Sequence, residues 1–323
     1  MITQPFTLEN LRAAHARIAD AVHRTPLIHS RTLSERVGTP VHLKCENLQK
    51  TGSFKVRGAL NRIGALTREE RDRGVITISA GNHAQAVAWA ADAAGVRSTV
   101  VMPERASPTK VRASREYGAE VILHGNAGAA FRRAFEIADE RGLVFVHPFD
   151  DPDVVAGHAS CMLEILDALP DAASVVVPVG GGGLASGIAV ATAAAAPNVG
   201  VWGVEPEGAA AMHASLEAGE PLHLDSVDTV ADGLGAPMAG RLNFEILSAH
   251  ARGVVLVNDD EIIHAMRMLL ERTKLLAEPA GAAGLAALLA GRVPVPEGPV
   301  VVVLSGGNVD LEQLGSILVS ETS

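Results

Sequence analysis

Short runs of Val, Ile and Leu alternate with longer Ala-rich stretches along almost the whole chain. The runs are 41–45 (VHLKC), 75–79 (VITIS), 98–102 (STVVM), 119–123 (AEVIL), 143–147 (LVFVH), 174–179 (SVVVPV), 199–204 (VGVWGV), 253–257 (GVVLV) and 299–305 (PVVVVLS). Continuous apolar runs of this length predict strands buried on both faces, and the Ala-rich segments between them predict the helices that cover a parallel sheet. Ahead of them, Thr7 stands where a helix N-cap belongs, and Leu8, Leu11, Ala14, Ile18 and Ala21 recur at helical spacing. So many strands in 323 residues predict two α/β units. A crossing point is expected at 150–158 (DDPDVVAGH), which is polar and carries Pro152.

Ligands of open parallel sheets sit at the carboxyl ends of strands, and four segments that follow predicted strands carry unusual chemistry. In 50–58 (KTGSFKVRG), Ser53 is placed to cap a helix beginning at Phe54. Lys55 then falls in the first turn, where the helix dipole disfavours an ammonium and lowers its pKa. A partly neutral lysine suits Schiff-base chemistry; a solvated surface lysine is the plain alternative. In 79–85 (SAGNHAQ), small residues and Gly81 leave backbone N–H groups open at a helix start, a ready site for a carboxylate or phosphate. An ordinary turn in which Asn82 and His83 serve only the backbone is the alternative. In 179–187 (VGGGGLASG), four consecutive glycines are costly in backbone entropy and make sense where the backbone wraps an anion. The same loop also reads as G-x-G-x-x-A at Gly180, Gly182 and Ala185, with Glu205 ending the next strand about twenty residues on. That pattern supports an NAD-dependent dehydrogenase, and a non-catalytic anion-binding module is a third possibility. In 304–308 (LSGGN), the Ser305 hydroxyl and two glycines could approach a ring edge, or form an ordinary strand-to-helix turn.

Composition narrows the partners. Hydrophobic residues make up 48% of the chain, and 27 basic against 37 acidic residues give a net charge of -10. The first value describes a packed globular protein, and the second argues against nucleic acid and anionic membranes. At 3% aromatic residues, a base-stacking surface is not expected either. Cys45 and Cys161 are too few for a disulfide framework and read as buried thiols in a reducing compartment. The N-terminal twenty residues show no apolar signal core, and no run of eighteen apolar residues occurs, so a cytoplasmic location is expected.

Taken together, the motifs resemble the fold-type II pyridoxal-phosphate (PLP) family and, within it, the threonine dehydratase and serine racemase branch. The resemblance runs through RTPLIHS (24–30), KCENLQKTGSFKVRGA (44–59), SAGNHAQAVA (79–88), VPVGGGGLASG (177–187), VADGLG (230–235), AEPAGAAGLAAL (277–288) and LSGGN (304–308). It implies two domains, each an open, mostly parallel twisted sheet covered by helices, as in the tryptophan synthase β-like fold. Residues 1–51 and 148–323 would form the larger domain, holding the PLP phosphate; 52–147 would form the smaller one, carrying Lys55 and the substrate-carboxylate loop. Lys55 would carry the Schiff base, with Phe54 and Gly233 against the two ring faces and Asn82 on the ring hydroxyl. Gly180, Gly181, Gly182, Gly183 and Leu184 would hold the phosphate, Ser305 would meet the pyridine nitrogen, and Glu278 would lie close to the cofactor. The backbone of Ser79, Ala80, Gly81, Asn82 and His83 would grip the substrate carboxylate.

The implied reaction is elimination of water from L-threonine, after which the product enamine hydrolyses to 2-oxobutanoate and ammonia, with L-serine giving pyruvate. Serine racemisation, or dehydration of a specialised hydroxy-amino acid, is the alternative. A hydroxyl at the pyridine nitrogen leaves it largely unprotonated and the ring a weaker electron sink, which favours quick loss of the β-hydroxyl. Two departures bear on this. Serine racemases have a serine, the acid on the face opposite the lysine, where this chain has Ala80; this favours a lyase. Metal-binding members carry an acidic residue six positions after the glutamate corresponding to Glu205, where this chain has Ala211, so no metal is expected. The chain stops soon after LSGGN, which implies no regulatory domain and no isoleucine feedback. A homo-oligomer acting on a small amino acid is expected.

Overall fold

The structure is a computed structural model, and it describes residues 6–319. Residues 1–5 of the stretch read for a signal core lie outside the described residues. Among the described residues ten strands form: β1 (Leu27–His29), β2 (Val41–Lys44), β3 (Val75–Ile78), β4 (Ser98–Met102), β5 (Glu120–Leu123), β6 (Val144–Phe145), β7 (Ser174–Pro178), β8 (Gly200–Pro206), β9 (Gly253–Val257) and β10 (Val300–Val303). They build a six-stranded sheet in the order β1-β2-β10-β7-β8-β9 and a four-stranded sheet in the order β5-β4-β3-β6. Every pairing is parallel except that of β1 with β2.

The pattern of apolar runs explains the larger sheet. Successive strand residues point to opposite faces. Val176, Val300 and Val302 pack into one core, while Val175, Val177, Val301 and Val303 pack into another on the opposite face. Each such side chain contributes roughly 1.5–3 kcal/mol by leaving water, which is why these strands read as unbroken valine. The first helix, Leu8–Ile18, has Thr7 as its N-cap, accepting from Asn10 N at 3.2 Å; Ala21 lies beyond its end.

The crossing between the sheets differs from expectation. Asp151 caps a helix that starts at Pro152, its carboxylate accepting from Asp153 N at 2.8 Å and Val154 N at 3.1 Å. Residues Val154 to His158 are buried inside that helix, Pro152–Ala168. Proline suits the first turn of a helix, where its missing N–H is not needed. The passage from β6 is therefore the short stretch 146–151.

The helix Lys55–Gly64 packs on Pro152–Ala168 so closely that a Cβ on Gly157 would lie 2.4 Å from Arg57 O. A buried ion network orients it. The Arg57 guanidinium meets both oxygens of Glu46 (2.7 and 2.8 Å) and both of Glu164 (2.7 and 2.9 Å). Lys44 on β2 balances the charge by pairing with Glu164. Two cations and two anions, all buried, thus tie this helix to the larger sheet and its covering helix.

Candidate active site

Every residue that the resemblance assigns to cofactor or substrate lines one cavity of about 340 Å³. The cavity lies where segments that follow β3, β6, β7 and β10 converge, the carboxyl-end position expected of parallel sheets.

Lys55 is the first residue of its helix, but Ser53 does not cap it. Phe54 takes the N-cap position without a side-chain bond. Ser53 is extended (φ −161°, ψ 162°), pairs its backbone with Gly306, and buries its hydroxyl without a partner. Strand-like pairing with the 305–306 segment replaces the cap; Phe54 N donates to Ser305 O at 3.0 Å. Lys55 Nζ donates to Pro148 O at 2.8 Å and stands 5.1 Å from the centre of the Phe54 ring. Burial pushes its pKa down to about 8, against the pull of the Glu278 carboxylate.

On the side of the smaller sheet, Gly81 N donates to Ser79 Oγ at 3.1 Å, and the helix Asn82–Ala93 starts immediately after. Ala80 offers only a methyl group. The His83 ring turns inward, its Nε2 3.2 Å from Val146 O; burial, then the nearby Lys55, push its pKa down to about 3, so the ring is neutral. Asn82 Nδ2 donates to Glu278 Oε1 at 2.6 Å, and Asn308 Nδ2 donates to Asn82 Oδ1 at 2.9 Å. Burial, then the like charge of Asp232, push the Glu278 carboxyl up to about 7.

On the side of the larger sheet, the glycine loop opens the thirteen-residue helix Gly183–Ala195. Gly182 has φ +97°, and a Cβ there would lie 2.7 Å from Asn243 Cβ. A Cβ on Gly181 would strike the Phe149 ring at 2.4 Å. Only glycines fit, and bare backbone N–H groups at a helix N-terminus attract an anion. Ser305 is buried, and its Oγ lies 3.5 Å from Ala280 O, at the limit of a hydrogen bond, which leaves the hydroxyl available to another partner.

This donor set fits pyridoxal phosphate: an anion cradle, an amine of lowered pKa, and neutral polar groups between them. A dinucleotide fits less well. Glu205, which a dinucleotide fold aims at a ribose, is buried, and its carboxylate accepts from Met212 N at 2.9 Å and His213 N at 2.7 Å. Among the described residues no group of three His, Cys, Asp or Glu is placed to hold a metal.

Several wall residues were not anticipated: Lys110, which pairs with Asp232 at 3.0 Å, and Pro148 and Phe149. Pro148 and Phe149 follow the predicted strand 143–147, so the strand-end rule that found the other segments would have found them too. Asn243, which touches the glycine loop from behind, sits in no recognisable motif.

Comparison with known proteins agrees with this chemistry. The family model described as "Pyridoxal-phosphate dependent enzyme" matches residues 18–306. The chain belongs to that family, and its fold is that of the fold-type II enzymes. It is 49% identical to the L-threonine ammonia-lyase of Geobacter sulfurreducens, over 97% of this chain and 78% of that protein. The processed form of threonine deaminase isoform 2 from Solanum lycopersicum superposes with TM-score 0.91 at 36% identity, covering 96% of this chain and 92% of that one. Maize serine racemase superposes with TM-score 0.92 at 37% identity, covering 96% of both chains.

Proposed function

We propose that this enzyme eliminates water from L-threonine to give an enamine, which water then hydrolyses to 2-oxobutanoate and ammonia, and that it acts in the same way on L-serine to release pyruvate and ammonia. The observation that carries the reading is the meeting of Lys55, the 79–83 turn and the glycine loop on one cavity, in a chain 49% identical to an L-threonine ammonia-lyase.

Bound pyridoxal phosphate supplies an electron-withdrawing ring that takes up the electrons left when a substrate loses its α-proton. The chain's residues do the rest. N–H groups of Gly180 to Leu184 would hold the phosphate, Phe54 and Gly233 would flank the ring, Asn82 would meet its hydroxyl, and Glu278 would lie nearby. Ser305 would meet the pyridine nitrogen with a neutral hydroxyl. The N–H groups of the Ser79 to His83 turn hold the substrate carboxylate. Lys55 Nζ, whose pKa burial lowers, would accept the α-proton. Opposite it, Ala80 has no proton to give, so the β-hydroxyl leaves and racemisation does not follow. The likeness to serine racemases is the reason to keep racemisation as the second reading.

The same reading divides the chain into a phosphate-holding domain, 1–51 and 148–323, and a smaller one, 52–147. Membership of the two sheets supports that division. It also makes the protein a cytoplasmic homo-oligomer. Cys45 and Cys161 are free and buried, and among the described residues no helix is long and apolar enough to cross a membrane.

The test is the visible absorbance of lysine-bound cofactor. The native protein should show the band and lose it on borohydride treatment. Lys55→Ala should keep its fold and some cofactor but lose the band and turnover. An active Lys55→Ala protein would overturn the assignment.

A further inference from the structure

We infer that Asn243 is a positioning residue that ties the glycine loop to the turn anchoring Lys55, and so holds loop and turn in register. The inference rests on the reading of the glycine loop as a phosphate site. Asn243 lies on the helix Arg241–His250 and is fully buried. Its Nδ2 donates to Gly181 O at 2.8 Å and to Phe149 O at 3.0 Å. Both amide hydrogens are therefore used, one on the glycine loop and one on the neighbouring turn that carries Pro148.

The first bond orients the cradle. In a trans peptide the C=O and the following N–H point in opposite directions, and no described peptide bond is cis. Gly181 O is drawn to one side by Asn243 Nδ2 and also by Gly240 N at 3.2 Å. The N–H of Gly182 must then point the other way, away from Asn243, which packs behind the loop. The second bond orients the lysine. Phe149 follows Pro148, whose carbonyl accepts from Lys55 Nζ. The rest of this turn is fixed as well: His147 Nδ1 accepts from Asp150 N at 2.8 Å, and the Asp150 carboxylate accepts from Arg241 N at 3.2 Å and Leu242 N at 3.0 Å. Asn243 Oδ1 is buried and has no partner among the described residues. A residue kept for packing alone would shed that unsatisfied acceptor; one kept for its two donors cannot.

Three variants separate positioning from packing. Asn243→Leu matches the size and lacks the donors; Asn243→Asp matches the shape and can only accept; Asn243→Ala removes atoms and adds none. The full-length protein, freed of cofactor, is titrated with pyridoxal phosphate and with pyridoxal, which lacks the phosphate. The preference for the phosphorylated form should fall by about tenfold or more, the worth of a lost hydrogen bond that orients a charge-binding group. The pH midpoint for capturing pyridoxal should move from that of the native protein, because the turn that presents Pro148 O to Lys55 Nζ loses one of its ties. A purely structural role would weaken both ligands alike and leave the midpoint where it was, and that result overturns the inference. So does failure of all three variants to fold. A native protein with no preference for the phosphate would instead refute the phosphate reading itself. A native preference retained in the variants would refute the role of Asn243 alone.

Discussion

Burial brings the Lys55 ammonium down to about 8 and the Glu278 carboxyl up to about 7, so two groups far apart in water titrate close together in this cavity. Each favours the other's charged form. Glu278→Gln removes the charge that raises the Lys55 pKa, so cofactor capture, which needs neutral Lys55, should have its pH midpoint below about 8. The rate at which the visible band appears, followed against pH, checks this; an unchanged or higher midpoint contradicts it. The sign for stability follows from the same shift. Folded Lys55 binds fewer protons than unfolded Lys55 between about 8 and 10.5, so its contribution to stability rises with pH across that window. On the proposed reading Ala80 decides between elimination and racemisation. Ala80→Ser places a proton donor opposite Lys55 and should raise D-serine formation from L-serine; D-serine in quantity from the unmodified protein would mean that another group donates. Lys55, Asn82 and the glycines were legible in the sequence because each follows a strand in an unusual composition. Asn243 was not, because its two hydrogen bonds join parts of the chain about sixty and ninety residues away and leave no local pattern.

Elements were legible where one physical cause dominates. Strands covered on both faces must be apolar throughout, and all nine predicted runs contain strands. The missed strand, β1, has three residues on the edge of the sheet and no buried position, so no apolar run marks it. Pro152 was misread because proline both breaks helices and begins them; Asp151 just before it was the available cue. Ser53 was misread because its position is set by pairing with Gly306, a contact no local rule contains. The direction of the Lys55 helix depends on Arg57, whose buried network also escaped the local reading. Arg57→Ala leaves Glu46 and Glu164 buried without their cation, and should destabilise the fold by about 3–5 kcal/mol in urea unfolding. A loss under about 1 kcal/mol would mean that Lys44 and bound water replace it.

Across the whole molecule, two sheets aim the carboxyl ends of their strands at one cavity, and the 146–151 crossing supplies part of its wall. One sheet side offers the glycine cradle and Ser305; the other offers the 79–83 turn; Lys55 stands between them. That arrangement suits an anionic cofactor held on one side and a substrate carboxylate held on the other, with the amine within reach of both. The most direct test is to incubate the purified, PLP-loaded protein with L-threonine and measure 2-oxobutanoate and ammonia together, with L-serine run in parallel and its products resolved by handedness. The account predicts equal amounts of 2-oxobutanoate and ammonia from threonine, and pyruvate with little D-serine from serine. No keto acid from either substrate, or D-serine as the main product, would contradict it.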